Sequence, residues 1–254
     1  MVENYPILEF DPDPDAILNP RLSGLKKPLP EKGVACFFQD VLSQLADEGR
    51  LVKIGELGSE IGRNPLYRLE WEGPPMLVFH PGVGAPLAAG FVEEVIAGGV
   101  RKLIACGGCG VLQKEIVAGH PVVLTAAVRD EGTSYHYLPP GREVSASPKA
   151  ITALEQALQA RNIEYLLGKS WTTDAIYRET ATRRSQRVAE GCQVVEMEAA
   201  AFFAVARFRG IEFGQVVYGG DLVVPEGWDK RDWINRKDSR QLLFWLAVEA
   251  CGRL

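Results

Sequence analysis

Glu196 and Glu198 flank one methionine in Val195-Glu-Met-Glu-Ala-Ala-Ala201, where a short extended stretch passes into an almost wholly apolar helical run. Carboxylates that close to a core normally carry a hydrogen-bond partner or a ligand. One ionised carboxylate accepts hydrogen bonds from two neighbouring hydroxyls, so a ribose diol is a fitting ligand. The same acids are equally at home in the first turn of a helix, whose dipole favours negative charge there. The residues alone leave both readings open.

Three further segments place glycines where a strand is expected to end: His80-Pro-Gly82-Val-Gly84, Cys106-Gly107-Gly108-Cys109-Gly110 and Gly219-Gly220-Asp221. Glycine lets a ligand approach the backbone closely, and it also makes tight turns. A dinucleotide fingerprint does not fit. Leu87 follows Gly82-x-Gly84 where a third small residue belongs, and the next strand ends in Cys106 rather than an acid. Cys106-x-x-Cys109 stands alone, without the second ligand pair of a metal site. None of His80, His120 and His136 has a second ligand beside it in sequence, so we expect no catalytic metal and no cofactor.

Strands and helices alternate around these segments. Met76–Phe79 reads as a buried strand, Leu87–Ala97 as a helix stopped by Gly98-Gly99, and Leu103–Cys106 as the next strand. Together they make a βαβ unit with parallel strands. Pro121–Val128, Glu164–Gly168 and Phe213–Tyr218 read as strands; Pro148–Arg161 and Asp238–Cys251 read as helices. Val194–Arg209 begins extended and becomes a helix closed by Gly210. In open α/β sheets, ligands gather beyond the C-terminal ends of the strands, which is where the glycine segments fall. The expected fold is α/β: a single-domain three-layer αβα sandwich around a mixed, mostly parallel central sheet. Residues 1–30, with six prolines and little periodicity, read as an irregular arm, and residues 31–254 as the domain.

The 254 residues are 46% apolar and 24% charged, which suits a globular chain. A net charge of −5 and a pI near 5.4 argue against nucleic acid as a partner, because phosphate binding needs a basic face. No run of 18 apolar residues suggests a membrane span. Five scattered cysteines without a leader-like start read as reduced thiols of a cytoplasmic protein.

Several ordered segments resemble one family. Val195-Glu-Met-Glu-Ala-Ala-Ala201 is similar to the signature of the nucleoside phosphorylases, the family of hexameric purine nucleoside phosphorylases, uridine phosphorylases and related nucleosidases. Val78–Pro86 and Ile104–Val111 resemble its two glycine turns. Val128-Arg-Asp-Glu-Gly-Thr-Ser-Tyr-His136 resembles a stretch of the uridine phosphorylase branch, and Trp171–Tyr177 the base-pocket segment. The likeness runs from about residue 34 to 254. It implies cleavage of a nucleoside N-glycosidic bond, with phosphate as co-substrate and a pentose 1-phosphate as product. It implies that Glu198 binds the ribose 2′- and 3′-hydroxyls, Met197 packs beneath the sugar, Glu196 lies alongside sugar and base, and Trp171 or Ile176 faces the base. Asp221, 23 residues after Glu198, falls where purine-cleaving members place the acid that protonates N7. A carboxyl does this near neutral pH only where its surroundings hold its proton. Gly82, Gly107, Gly108 and Arg63 are the candidate anion contacts, with Arg63 where a neighbouring subunit's arginine would be. The resemblance further implies a homodimer or homohexamer whose sites are shared between subunits.

Two departures matter. The family's phosphate-binding Arg and Ser/Thr correspond to Ala105 and Gly108, which leaves hydrolysis, or nucleoside binding without catalysis, as alternatives. Thr180 and Thr182 stand where uracil-reading Gln and Arg would be, while Asp221 favours purines, so the base stays open.

Overall fold

Residues 5–22 and 27–254 are described by the computed structural model. Along the chain the first elements are β1 (Lys32–Cys36), α1 (Gln39–Asp47), β2 (Leu51–Ser59), β3 (Gly62–Leu69), β4 (Met76–Phe79), α2 (Ala85–Ala97) and β5 (Lys102–Val111). Then come β6 (Pro121–Asp130), β7 (Glu143–Ser145), α3 (Pro148–Ala160), β8 (Leu166–Thr173), α4 (Ala181–Ala189) and β9 (Cys192–Glu196). The chain ends with α5 (Ala199–Arg209), β10 (Glu212–Val224), β11 (Gly227–Asp229) and α6 (Lys237–Arg253).

Alternation along the strands sets the layers. Ala35, Leu77, Phe79, Leu103 and Ala105 point to one core, and Val34, Cys36, Met76, Val78, Ile104 and Cys106 to the other. A strand with both faces apolar must be covered on both sides. The apolar faces of α2 and α5 cover the first core, and those of α1, α3 and α6 cover the second. The result is the three-layer αβα arrangement expected from the sequence.

The sheet is mixed. β1 lies between β4 and β5, parallel to both, so the βαβ crossover through α2 steps over one strand. The antiparallel hairpin β2–β3 extends the β4 edge. At the other side β5 pairs with both β10 and β9, and β10–β6–β8–β9 completes a ring with β5. The ring's seams, β10–β6 and β9–β5, are antiparallel.

This closure corrects one expectation. Gly107–Gly110 and Gly219–Gly220 do not end their strands; β5 and β10 run through them. A Cβ on Gly110 would stand 2.9 Å from Val195 Cγ1, and one on Gly220 would stand 2.9 Å from the Cys109 carbonyl oxygen. These glycines let three strands close on one another. Only Gly82 and Gly84, at φ 81° and 87°, serve a true turn.

Residues 5–22 carry a 3₁₀ turn at Pro6–Leu8, and Arg209 Nη1 donates to the Pro14 carbonyl at 2.8 Å. Part of the expected N-terminal arm, residues 1–4 and 23–26, lies outside the described residues. Among the described residues no helix is long and apolar enough to cross a membrane, and no group of His, Cys, Asp and Glu is arranged to hold a metal.

Candidate active site

The junction between β9 and α5 is built by Glu196. Its Oε1 accepts from Ser170 Oγ at 2.7 Å and Thr172 Oγ1 at 2.6 Å. Its Oε2 accepts from the backbone N–H groups of Glu198 at 2.8 Å and Ala199 at 2.6 Å. A carboxylate offers about four lone-pair positions, and all four are taken. The last two bonds satisfy amides at the start of α5, so Glu196 caps that helix. Ser170 and Thr172 come from β8, one strand over, with Trp171 pointing the opposite way. Its carboxylate is fully engaged within the protein, so Glu196 reaches the expected place alongside sugar and base only as a structural acid at the junction.

Glu198 is differently placed. It is 6% exposed, its Oε1 accepts from the Gly84 N–H at 2.6 Å, and its Oε2 meets the Met197 N–H at 3.3 Å. Glu198 thereby ties the start of α5 to the turn before α2. Burial pushes its carboxyl up to about 8, and the Glu196 charge pushes the same way against the two amides. Burial and the neighbouring acid therefore favour the protonated form of Glu198 near neutral pH.

The turn before α2 is organised by His80. Its Nδ1 accepts from the Gly82 N–H at 3.0 Å, its ring stands edge-on to Phe37 at 5.8 Å, and Asn64 donates to its carbonyl. Burial lowers its pKa, against a hydrogen bond to the Phe37 backbone. Phe37 in turn covers Gly107, with ring Cδ2 3.0 Å from where a Cβ would stand. Gly108 lies against the Tyr218 ring. The Gly82 amide is bonded to His80, and an aromatic ring lies over each of Gly107 and Gly108. Ala105, matched to the family's arginine, is fully buried beneath α2 and α5. Arg63 sits near the tip of the β2–β3 hairpin, its side chain 74% exposed and 3.6 Å from Glu56.

On the far side of the β5–β10 pair, Asp221 Oδ2 accepts from Trp228 Nε1 at 2.6 Å. Asp221 also approaches Gly110, and together with Glu196 it acts electrostatically on the buried Cys109 thiol, whose pKa burial raises. Asp221 and Glu196 thus both act on the glycine run of β5, at Cys109. Glu179, just before α4, belongs to the same group: burial and the Asp221 charge push its carboxyl up to about 7. Neither Glu179 nor Trp228 was found from the sequence. A lone acid in Arg178-Glu-Thr180 and an indole on a short hairpin carry no spacing signal.

The base-side expectations divide. Trp171 is fully buried among Leu112, Val128, Cys192 and Val195, with Nε1 donating to Asp130 at 2.9 Å. It supports the closed ring of strands and offers no surface to a base, which corrects that expectation. Ile176 is exposed in the 3₁₀ turn Ile176–Arg178 and remains available.

A family model described as the phosphorylase superfamily matches residues 32–242. A guanosine phosphorylase from Halorubrum lacusprofundi is 32% identical over 202 residues, covering 75% of this chain and 83% of that protein. The uridine phosphorylase of Escherichia coli is 29% identical, covering 74% of this chain and 79% of that one. Among solved structures, a purine nucleoside phosphorylase from Toxoplasma gondii in complex with immucillin-H superposes with a TM-score of 0.78 at 22% identity, covering 94% of this chain and 96% of that chain. An AMP nucleosidase from Bacteroides thetaiotaomicron superposes at 0.71 with 21% identity, covering 87% of each. At those identities the two structures show the fold.

Proposed function

Because this chain belongs to the phosphorylase superfamily, we propose that it cleaves the N-glycosidic bond of a nucleoside, by phosphorolysis to free base and pentose 1-phosphate. The observation that carries the reading is Glu198. It is a buried carboxyl with two amide donors, beside a partner acid that is fully satisfied. A ribose diol brings two O–H donors to it, lowers its pKa and lets it ionise against the sugar.

The chemistry follows from charge. As the C1′–N bond lengthens, the sugar becomes oxocarbenium-like and the base gathers the bonding electrons. The ionised Glu198 stabilises the positive sugar, and Met197 lies at the same junction to pack beneath it. Asp221, oriented by Trp228, delivers a proton to N7 of a purine leaving group, and a phosphate oxygen closes on C1′. Asp221→Asn keeps the Trp228 contact but has no proton to give. We expect it to lower kcat for purine nucleosides by about 10²–10³-fold, with KM within a few-fold. An unchanged kcat removes Asp221 from this role.

A specific observation favours hydrolysis as a second reading. Phe37 covers Gly107, His80 holds the Gly82 amide, and the charges that act on Glu179 and Glu198 are those of carboxylates. A phosphate dianion needs cations or several free donors. Arg63, exposed on its hairpin, meets that need only if a second copy of the chain brings it to the site, so the phosphorolytic reading carries with it a homo-oligomer. It also carries a cytoplasmic setting, in which five unpaired thiols stay reduced.

One assay separates the readings. Base release from guanosine, inosine, adenosine and uridine is followed with and without phosphate, with chromatography of the sugar product. Release that depends on phosphate, with pentose 1-phosphate formed, is the expected result. Phosphate-independent release of free pentose makes the protein a nucleosidase. Saturable thermal stabilisation by nucleosides without turnover makes it a binding protein.

A further inference from the structure

Two anchors tie residues 5–22 to the domain. At the first, Arg209 at the end of α5 binds the buried Glu93 carboxylate of α2 through Nε, at 2.8 and 3.0 Å, and its Nη1 donates to the Pro14 carbonyl at 2.8 Å. At the second, the 3₁₀ turn Pro6–Leu8 packs on the 3₁₀ turn Thr133–His136. Ile7 Cδ1 lies 3.7 Å from where a Cβ on Gly132 would stand. The chain between the anchors is stiff. Pro12 and Pro14 fix their own φ angles. The N–H groups of Asp13 and Asp15 each donate to the Asp carboxylate two residues earlier, at 3.0 Å.

The turn under Ile7 is unevenly held. Arg129 fastens its far half: Nε donates to Ser134 Oγ at 2.8 Å, Nη1 to the Pro139 carbonyl at 2.8 Å and Nη2 to that of Leu138 at 3.1 Å. The same guanidinium lies 4.2 Å over the Tyr135 ring. The near half has less. Glu131 is buried, with Oε2 accepting from the Ser134 N–H at 2.9 Å, but its Oε1 meets no donor among the described residues. Burial pushes the Glu131 carboxyl up, and the Asp174 charge pushes the same way, against its bonds from Ser134. The Gly132 N–H donates to Asp174 Oδ2 at 2.8 Å. The β6–β8 ladder ends at Asp130 and Thr173. Past it, among the described residues, the bond from Gly132 is the one hydrogen bond that joins this turn to residues 174–178. Those residues carry Ile176, the exposed side chain available to a base.

A hydrogen bond to a carboxylate strengthens where water is kept from it. Ile7 is the apolar side chain that lies against this one. The turn beneath does not close by its own bonds alone, because two acids oppose each other across it and one buried oxygen is unmatched. We propose that residues 5–14 are a strap, and that Ile7 is a positioning residue which covers the Gly132–Asp174 bond and so holds the Ile176 turn in place to receive a base. The clamp of Arg209 on Pro14 fixes the strap, and the two prolines keep Ile7 at a set distance from it. Ile7 itself touches no substrate. Its effect on substrate rests on the nucleoside-cleaving reading above; its hold on Gly132 stands apart from that reading.

The test compares the full chain with Ile7→Ser, Ile7→Val, Asp174→Ala, the Ile7→Ser/Asp174→Ala pair, and a variant lacking residues 1–10, which keeps the Pro14 clamp. Amide hydrogen exchange is read by mass spectrometry, and kcat and KM for whichever of guanosine, inosine, adenosine and uridine turns over fastest. Ile7→Ser and the truncation should each speed exchange across residues 131–134 and 174–178 about tenfold and leave α3 and α6 as in wild type. The melting temperature should fall by less than about 2 °C, since Ile7 is already partly exposed and no core contact is lost. KM should rise about tenfold with kcat within about threefold, and Ile7→Val should restore both. Asp174→Ala should give the same rise, and the pair should add little to either single change, because both act through one bond. Unchanged exchange at residues 131–134 overturns the strap. Faster exchange with wild-type KM removes Ile7 from any positioning role, as does a pair whose effects simply add. Exchange that quickens throughout the chain with a large fall in melting temperature makes the segment a general stabiliser instead. If no nucleoside releases its base, the cleavage reading and the positioning role fall together, and exchange at residues 131–134 still decides whether the strap holds the turn.

Discussion

Glu198→Gln is expected to raise the melting temperature of the protein by about 5 °C at pH 7 while lowering kcat/KM for ribonucleosides about a hundredfold. Both effects come from one carboxyl. In the folded chain it titrates at about 8, against 4.5 for an ordinary glutamate, because it is buried beside Glu196. Between those two values the unfolded chain has released a proton that the folded chain still holds. Stability therefore falls as pH rises from about 4.5 to about 8 and levels off above that. A shift of this size bounds the cost at roughly 4–5 kcal/mol. Glutamine removes the titration, keeps an oxygen for the Gly84 N–H, and bears its own cost of burial, which leaves a gain of about 2 kcal/mol. For a chain of this length that corresponds to about 5 °C. The variant's stability should be flat across the window in which wild type declines, and melting curves from pH 5 to 8.5 read this directly.

The loss of activity follows from the same exchange. Two hydroxyl-to-carboxylate bonds at about 1.5 kcal/mol each amount to about 3 kcal/mol, or roughly a hundredfold. A 2′-deoxynucleoside brings one hydroxyl fewer. Wild type should disfavour it about tenfold, and Glu198→Gln should lose most of that preference. A Glu198→Gln protein that still separates ribose from deoxyribose takes the sugar role away from this residue. Activity and stability moving in opposite directions mark a group held in a costly state for its ligand.

How much of this is legible in the chain depends on the kind of signal. The α5 junction stands out because two acids directly before an apolar helix conflict with burial, and only a partner or a ligand resolves the conflict. The layers are legible in Val34-Ala35-Cys36 and Leu103–Cys106, where every residue is apolar and both strand faces must be covered. The closed ring of strands is not. The contact of Gly110 with Val195 joins residues 85 apart and leaves no periodic trace, so the same glycines read as turns. Trp171 misleads for a related reason. Its neighbours Ser170 and Thr172 face Glu196, and only the register of β8 against β9 shows that the indole points away. His80 and Phe37 act through pairings that no local pattern announces.

Glu196→Ala tests the part of the site that substrate need never touch. Four donors converge on its carboxylate: two hydroxyls of β8 and two amides at the start of α5. Removing it strands all four in a buried place, and losing one member of such a buried charged cluster costs about 3–5 kcal/mol. Against a total stability of roughly 5–15 kcal/mol, the melting temperature should fall by about 10 °C or more. Thr172 gives the graded control. Its hydroxyl donates to Glu196 at 2.6 Å and accepts from the Ala200 N–H at 3.0 Å. Thr172→Val should cost about 2 kcal/mol by breaking both bonds, and Thr172→Ser, which keeps the hydroxyl, less than about 1. Glu196→Gln should fold, since its amide oxygen still takes two of the donors, and should raise KM more than it lowers kcat. The Glu198 backbone hangs from the Glu196 carboxylate, so a shift there misplaces the sugar-binding group before any chemistry begins. A Glu196→Gln protein with wild-type KM and a strongly lowered kcat would instead put this carboxylate on the substrate, and the four internal bonds would then have to open during the reaction.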